Sequence, residues 1–314
     1  MSVPLVGIVS APRGPADPCS HTALHPYGTG ACCFGGGKRG SSILAFYDAM
    51  GERCSLHPLP CTPRTLNGTC VIGHRLYSFG GCASMQHPRA EMLRGTHITL
   101  ISLPDRTHAD VLLSGVGIPS LNGPTLLPTD PTTILIIGGV DGLGNPSHYC
   151  YKVDLTTYGV SIFCEVPYSA TGASYVLLDK RIYLLGGKRH ERACGLLHIL
   201  DLETRSWQSQ KLPPRMPARY SHSACVYEGS LLIYGGRTED HLLSDCWLYR
   251  PLSDEWLELV LDEPLAQYSA PIAVVGERVL VAGGIGAFGL YGVIFTLRPS
   301  YAKTRRLVKQ ISLL

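Results

Sequence analysis

The 314-residue chain is 45% apolar and only 16% charged, which supplies a sizeable core and excludes a disordered polypeptide. Its formal charge of +3 is too small to mark a nucleic-acid-binding surface by itself. Thirty-five glycines and 23 prolines suit many short strands joined by turns.

The opening segment MSVPLVGIVSAP has no basic n-region, and Pro4 and Gly7 interrupt its apolar stretch, so no signal peptide is expected. No apolar run approaches the roughly 18 residues that span a bilayer. These features predict a cytoplasmic protein, with the nucleus left open, and no membrane partner. Twelve cysteines are then read as reduced thiols. Many stand inside apolar runs, where cysteine behaves as a small hydrophobe, and no C-x-x-C pair offers metal-ligand spacing. Cys32 and Cys33 should face opposite sides of a strand.

Along the chain, six glycine doublets each follow a short apolar run. They are Gly35-Gly36, Gly80-Gly81, Gly138-Gly139, Gly186-Gly187, Gly235-Gly236 and Gly283-Gly284, at steps of 45, 58, 48, 49 and 48 residues. A period near fifty over the whole chain marks a repeat architecture. The first unit reads SHTALHPYGTGACCFGG, SSILAFYD and RCSLHPLP; the second and third are looser, with NGTCVIGHRLYSFGG and TILIIGGVDG. The fourth gives GASYVLLDKRIYLLGG, GLLHILD and SWQSQKL. The fifth is clearest: strands over Ser221–Val226, Leu231–Gly235, Asp245–Arg250 and Glu255–Val260, with a tight turn at Glu228-Gly229. The sixth gives SAPIAVVGERVLVAGG and LYGVIFTL. Segments such as SACV and LLIY barely alternate, so each four-stranded meander must be apolar on both faces and packed between two others.

A doublet ending the second strand, an acidic turn, and a Trp some residues on (Leu200-Asp201 to Trp207; Tyr249 to Trp256) closely resemble kelch repeats. So does PPRMPARYSHSACVYEGSLLIYGG. No Trp stands in the fourth strand of the second and third units; Tyr158 takes that place in the third. The resemblance implies an all-β, six-bladed β-propeller of four-stranded antiparallel blades, spanning residues 1–314 as one domain. Approximate blades are 18–60, 64–115, 120–166, 170–212, 217–260 and 267–314. It also implies a non-enzymatic protein-binding module, an adaptor or scaffold. The doublet glycines, Trp207 and Trp256 are read as structural: glycine admits positive φ where backbones crowd, and Trp fills the gap between blades.

Ring closure offers two candidates for the last outer strand. The short turn Pro299–Lys303 favours Arg305–Ser312, with residues 1–12 crossing the seam between the last and first blades.

No nucleophile elbow, H-E-x-x-H or P-loop is present, and GGGKRGSS at 35–42 leads into a strand where a phosphate cradle needs a helix. His21 and His222 both lie in S-H-[TS]-A and read as packed inner-rim residues. No catalytic residue, metal site or cofactor is expected. Two rival readings stay open. One is an enzyme, for instance carbohydrate-active, on a kelch-like scaffold, which two carboxylates within about 6 Å in the channel would support. The other is a nucleic-acid-associated module, disfavoured because basic and aromatic residues hardly interleave.

Meander connectivity puts the fourth-to-first and second-to-third loops on one face, where binding residues concentrate. The candidates there are Lys38, Arg39, Arg64, Arg89, Lys188, Arg189, Arg192, Arg219 and Arg237, with Tyr168, Tyr220 and Tyr268 as aromatic anchors. Arginine forks suit carboxylate or phosphate, so the expected partner is a protein or peptide, acidic or phosphorylated.

Overall fold

The computed structural model describes residues 8–10, 21–37, 39–48, 54–84, 86, 92–93, 95–260, 265–287, 289–290, 293–297 and 304–306. Every regular element among them is a β-strand. Five sheets are each built from successive segments of the chain. Sheet one comprises His25–Tyr27, Gly30–Phe34, Ile43–Tyr47 and Cys54–Pro58; sheet two comprises Gly68–Ile72, Arg75–Phe79, His97–Ser102 and His108–Leu112. Sheet three comprises Asn122–Asp130, Thr133–Val140, Tyr149–Asp154 and Gly159–Glu165, with Ser114–Gly115 added in parallel at its outer edge. Sheet four comprises Ser174–Leu178, Arg181–Leu185, Leu196–Asp201 and Trp207–Lys211. Sheet five comprises Ser223–Tyr227, Ser230–Tyr234, Cys246–Arg250 and Glu255–Leu259. A further sheet joins Ile272–Val275, Arg278–Ala282 and Val293–Leu297 to a strand from the other end of the chain, Ile8–Ser10. The fold is an all-β propeller with four-stranded antiparallel blades.

The ring follows from the apolar pattern. Each sheet buries both faces, and each core cluster is shared by two neighbours. Cys32, Phe34 and Leu44 of sheet one pack with Leu76 and Ile101 of sheet two. Tyr77, Phe79 and Ile98 meet Ile134 and Tyr151 of sheet three. Leu135 and Ile137 meet Ile182 and Leu184 of sheet four. Tyr183 and Leu197 meet Ile233 and Trp247 of sheet five. Leu232 and Leu248 meet Val279 and Val281 of the last sheet. Ala273 and Leu280 return to Ala31, Cys33 and Ala45 of sheet one. Cys32 and Cys33 thus face opposite sides, as strand geometry requires. The eleven described cysteines are free, six of them buried.

All twelve doublet glycines have positive φ. The second glycine of a doublet donates its N–H to the loop entering the next sheet: Gly36 to Arg64 O (2.8 Å), Gly81 to Leu121 O (2.7 Å), Gly187 to Arg219 O (2.9 Å) and Gly236 to Gln267 O (2.8 Å). The doublets are therefore hydrogen-bonded joints between sheets, a role beyond the steric one expected of them.

The closure expectation is corrected. Ile8–Ser10, not Arg305–Ser312, lies antiparallel to Val293–Leu297, with Ile8 opposite Phe295. Thr304–Arg306 pairs with the outer edge of sheet five, Leu257 opposite Arg306, so residues 267–314 do not form one blade. The reason is backbone hydrogen bonding. An edge strand offers one free row of N–H and C=O groups. Once Ile8–Ser10 occupies that row, the C-terminal segment must pair elsewhere. Residues 1–7 and 307–314 lie outside the described residues.

Candidate functional site

A second set of joints lines the axis. At the residue just before each inner strand, the backbone is left-handed: His21 (φ 64°), Leu66 (55°), Gly123 (68°), Gly172 (64°), Ser221 (52°) and Ser269 (52°). The N–H of this residue donates to the carbonyl of its counterpart one sheet earlier. Leu66 donates to His21 (3.0 Å), Gly123 to Leu66 (2.6 Å), Ser221 to Gly172 (2.6 Å) and Ser269 to Ser221 (2.8 Å). Four of the six positions are not glycine, so composition gives no sign of them.

This ring surrounds a cavity of about 700 Å³, lined by residues from every sheet, including Thr22, Asn67, Thr125, Gly172, Ser223 and Pro271. No Asp, Glu, Lys or Arg is among the lining residues. His222, at its wall, has its Nε2 2.7 Å from Ser174 Oγ, and burial drives its pKa down to about 3, with Arg219 adding to the effect. It is a neutral packing histidine, as the sequence suggested.

Charge gathers at the mouth instead. Within each sheet, the residue preceding the left-handed position bridges the residue following the doublet. The pairs are Thr65 with Cys82, Asn122 with Val140, Thr171 with Lys188, Tyr220 with Arg237 and Tyr268 with Ile285. Sheets two and three place small or apolar residues there. Sheets four to six place a cation–aromatic ladder. The Arg237 guanidinium stands 5.4 Å from the ring centroid of Tyr220 and 5.4 Å from that of Tyr268. Lys188 Nζ lies 5.5 Å from the Tyr220 ring. Such stacks hold cations in fixed positions while leaving their outer edges open to an anion. Two carboxylates sit alongside. Glu191 pairs with Lys188, and Glu239 accepts the N–H of Ala193, tying the Lys188–Ala193 ribbon of sheet four to the loop of sheet five. Arg189 and Arg192 face each other across that ribbon and are exposed.

Lys188, Arg189, Arg192, Tyr220, Arg237 and Tyr268 are therefore brought into one sector. Arg39 is exposed on sheet one, away from it. Lys38 and Arg89 lie outside the described residues. Arg64 and Arg219 are corrections to the expected surface. Arg219 is fully buried; its Nη1 and Nη2 meet Asp245 Oδ1 and Oδ2 at 2.8 and 2.6 Å, and Nη1 also donates to Gly235 O. Trp247 Nε1 adds a bond to the same carboxylate at 2.6 Å. Arg64 is 6% exposed and donates to Thr99 Oγ1, with Asp110 3.7 Å away. Both guanidiniums are occupied between sheets, where an unpaired charge would be untenable. Tyr168 is also elsewhere than expected: it stacks on His198 at 3.8 Å in sheet four. Asp245 and Trp247 were missed as structural residues. The signal was present in the fully apolar spacing of CWLYR, whose Trp faces the neighbouring sheet.

A family model for the KLHDC2/KLHL20/DRC7 Kelch-repeats domain matches residues 68–284. Kelch domain-containing protein 3 of Bos taurus is 38% identical over 174 residues, 48% of this chain and 44% of that protein. Kelch-like protein 38 of Rattus norvegicus is 29% identical over 156 residues, 48% of this chain and 26% of that protein. The chain thus spans less than half the length of the curated relatives it matches. The solved structure of YjhT superposes with a TM-score of 0.73 over 95% of this chain and 99% of its own, at 15% identity, a likeness of fold alone.

Proposed function

Because the chain belongs to the kelch-repeat family, whose propellers are generally protein-interaction modules, we propose that it is a non-enzymatic adaptor that docks an acidic or phosphorylated peptide segment of a partner protein. We read the ring as six-bladed, its last blade completed by Ile8–Ser10. The observation that carries the binding reading is the ladder Lys188–Tyr220–Arg237–Tyr268 beside exposed Arg189 and Arg192. Two arginines and a stacked guanidinium on a rigid rim meet the geometric need of carboxylate or phosphate forks, and the tyrosines supply apolar contact area. Sheets two and three lack the equivalent residues, so the peptide is held over one sector of the mouth and not around its whole circumference.

The test is a peptide array of acidic and phosphoserine-bearing sequences, probed with wild-type protein and with Arg189→Glu/Arg192→Glu/Arg237→Glu. Wild type selects anionic peptides in a salt-sensitive manner, and the triple variant loses them at unchanged melting temperature. Equal capture by both proteins discards this face.

A further inference from the structure

Cys150 and Cys164 stand directly opposite each other across the third and fourth strands of sheet three. Directly opposed residues have Cα atoms about 4.5–5.5 Å apart, within the span of about 4.4–6.8 Å that a disulfide requires. A bulge follows at once: Tyr151 pairs with Ile162, so Phe163 is the extra residue. Both thiols lie in the same apolar cluster, on the face turned toward sheet four. Cys150 is fully buried, whereas Cys164 is partly exposed. The Arg205 guanidinium, 4.8 Å from the Phe163 ring, adds positive charge beside Cys164.

We propose that Cys150 and Cys164 form a reversible intrachain disulfide under peroxide, with Cys164 as the attacking sulfur and Cys150 as the resolving one. The Cys164 thiolate attacks one oxygen of hydrogen peroxide; the O–O bond breaks, hydroxide leaves as water, and Cys164 becomes a sulfenic acid. The Cys150 sulfur then attacks the Cys164 sulfur. The S–S bond forms, the S–O bond breaks, and the departing hydroxide takes the Cys150 proton as a second water. Two thiols lose two electrons and one peroxide gains them. The division of roles also fits the acidities. The hydrogen bond from Cys150 lowers Cys164 below an ordinary thiol, assisted by Arg205 against the opposing effect of burial. The same bond, with burial, raises Cys150.

The cross-link has a built-in reporter. Glu165, the next residue, accepts the indole N–H of Trp207 at 3.0 Å, so a change in the backbone at Cys164 reaches the sheet-three to sheet-four interface. The experiment treats the full chain with stoichiometric hydrogen peroxide, alkylates the remaining thiols and maps the peptides. The expected product is a linked pair of peptides carrying Cys150 and Cys164, reversed by dithiothreitol and accompanied by a change in tryptophan emission. Cys164→Ser abolishes the link. Cys150→Ser leaves a sulfenic acid at Cys164 that dimedone captures. The wild-type map decides the matter even if a variant folds poorly. Oxidation at exposed Cys54 or elsewhere, with Cys150 and Cys164 both still alkylated, overturns the proposal.

Discussion

Arg219 and Arg189 share a side chain and a neighbourhood, yet one is fully buried and the other exposed. Truncating Arg219 to Ala strands the Asp245 carboxylate beside Trp247 and should cost about 3 kcal/mol in urea unfolding, as for other broken buried pairs. Arg189→Glu should change stability by no more than about 0.5 kcal/mol. Equal losses would mean that the assignment of the two arginines to core and rim is wrong. Glycines divide in the same way. At Gly186, with φ of +62°, a Cβ would lie 2.4 Å from Arg219 O, a backbone atom that cannot move aside. At Gly229, with φ of +67°, a Cβ would meet nothing within 4 Å. Gly229→Ala therefore carries only the left-handed backbone cost, about 1–2 kcal/mol. Gly186→Ala adds a clash and the weakening of a joint between sheets, and should lower the melting temperature clearly further.

Among the elements, the outer strands show most directly what packing adds. Trp256 is 5% exposed and packs with Leu212 and Met216 of the preceding sheet, so Trp256→Ala should cost about 3–5 kcal/mol. Trp207 is only half-buried and reaches back to sheet three chiefly through its indole N–H. Its truncation should cost less, about 1–3 kcal/mol. Chemical denaturation of both variants checks the order. Tyr158, expected in place of a Trp, is partly buried in the cluster between sheets two and three. The terminal strands make a further contrast. Removing residues 1–10 uncovers the edge of Val293–Leu297 and opens the joint where the chain ends meet, whereas removing 304–314 takes only an added fifth strand from sheet five. Thermal melts should show the N-terminal deletion to be the more damaging. A milder N-terminal effect would contradict this closure.

For the molecule as a whole, buried histidines set a pH response. Burial lowers His222 to about 3 and His198 to about 4 from an ordinary 6.5, and His25, beside Thr69, to about 4. Their folded-state pKa values lie below the unfolded one, so the unfolded chain binds protons that the folded chain refuses. Their contribution is complete above pH 6.5 and is lost as pH falls toward 4. The melting temperature should decline through that window; a flat profile from about pH 7 to about pH 5 would show that these rings titrate freely.

The repeat, the strands and the two-faced burial were legible because they depend on local order. A doublet after an apolar run needs only its own segment, and the fifth unit's four strands lie within two residues of their expected positions. The ladder was half legible. Tyr220, Arg237, Lys188 and Tyr268 could be named as rim residues from the meander's connectivity. Their stacking depends on which positions of successive sheets face each other, and the same connectivity also pointed to Arg64, Arg219 and Tyr168, which pack inward. A side chain's type does not say whether a carboxylate two strands away will claim it; Asp245 does so for Arg219 across 26 residues of chain. Closure lay furthest beyond reach. Chain order favoured a short turn into Arg305–Ser312, but pairing is decided by which backbone edge is vacant once the ring has formed. Sequence alone therefore determined the unit and its repetition, since those rest on periodicity and turn chemistry. Tertiary structure decided which end closes the ring, which arginines remain free at its mouth, and which two cysteines lie opposite each other, since each of these depends on contacts between residues far apart in the chain.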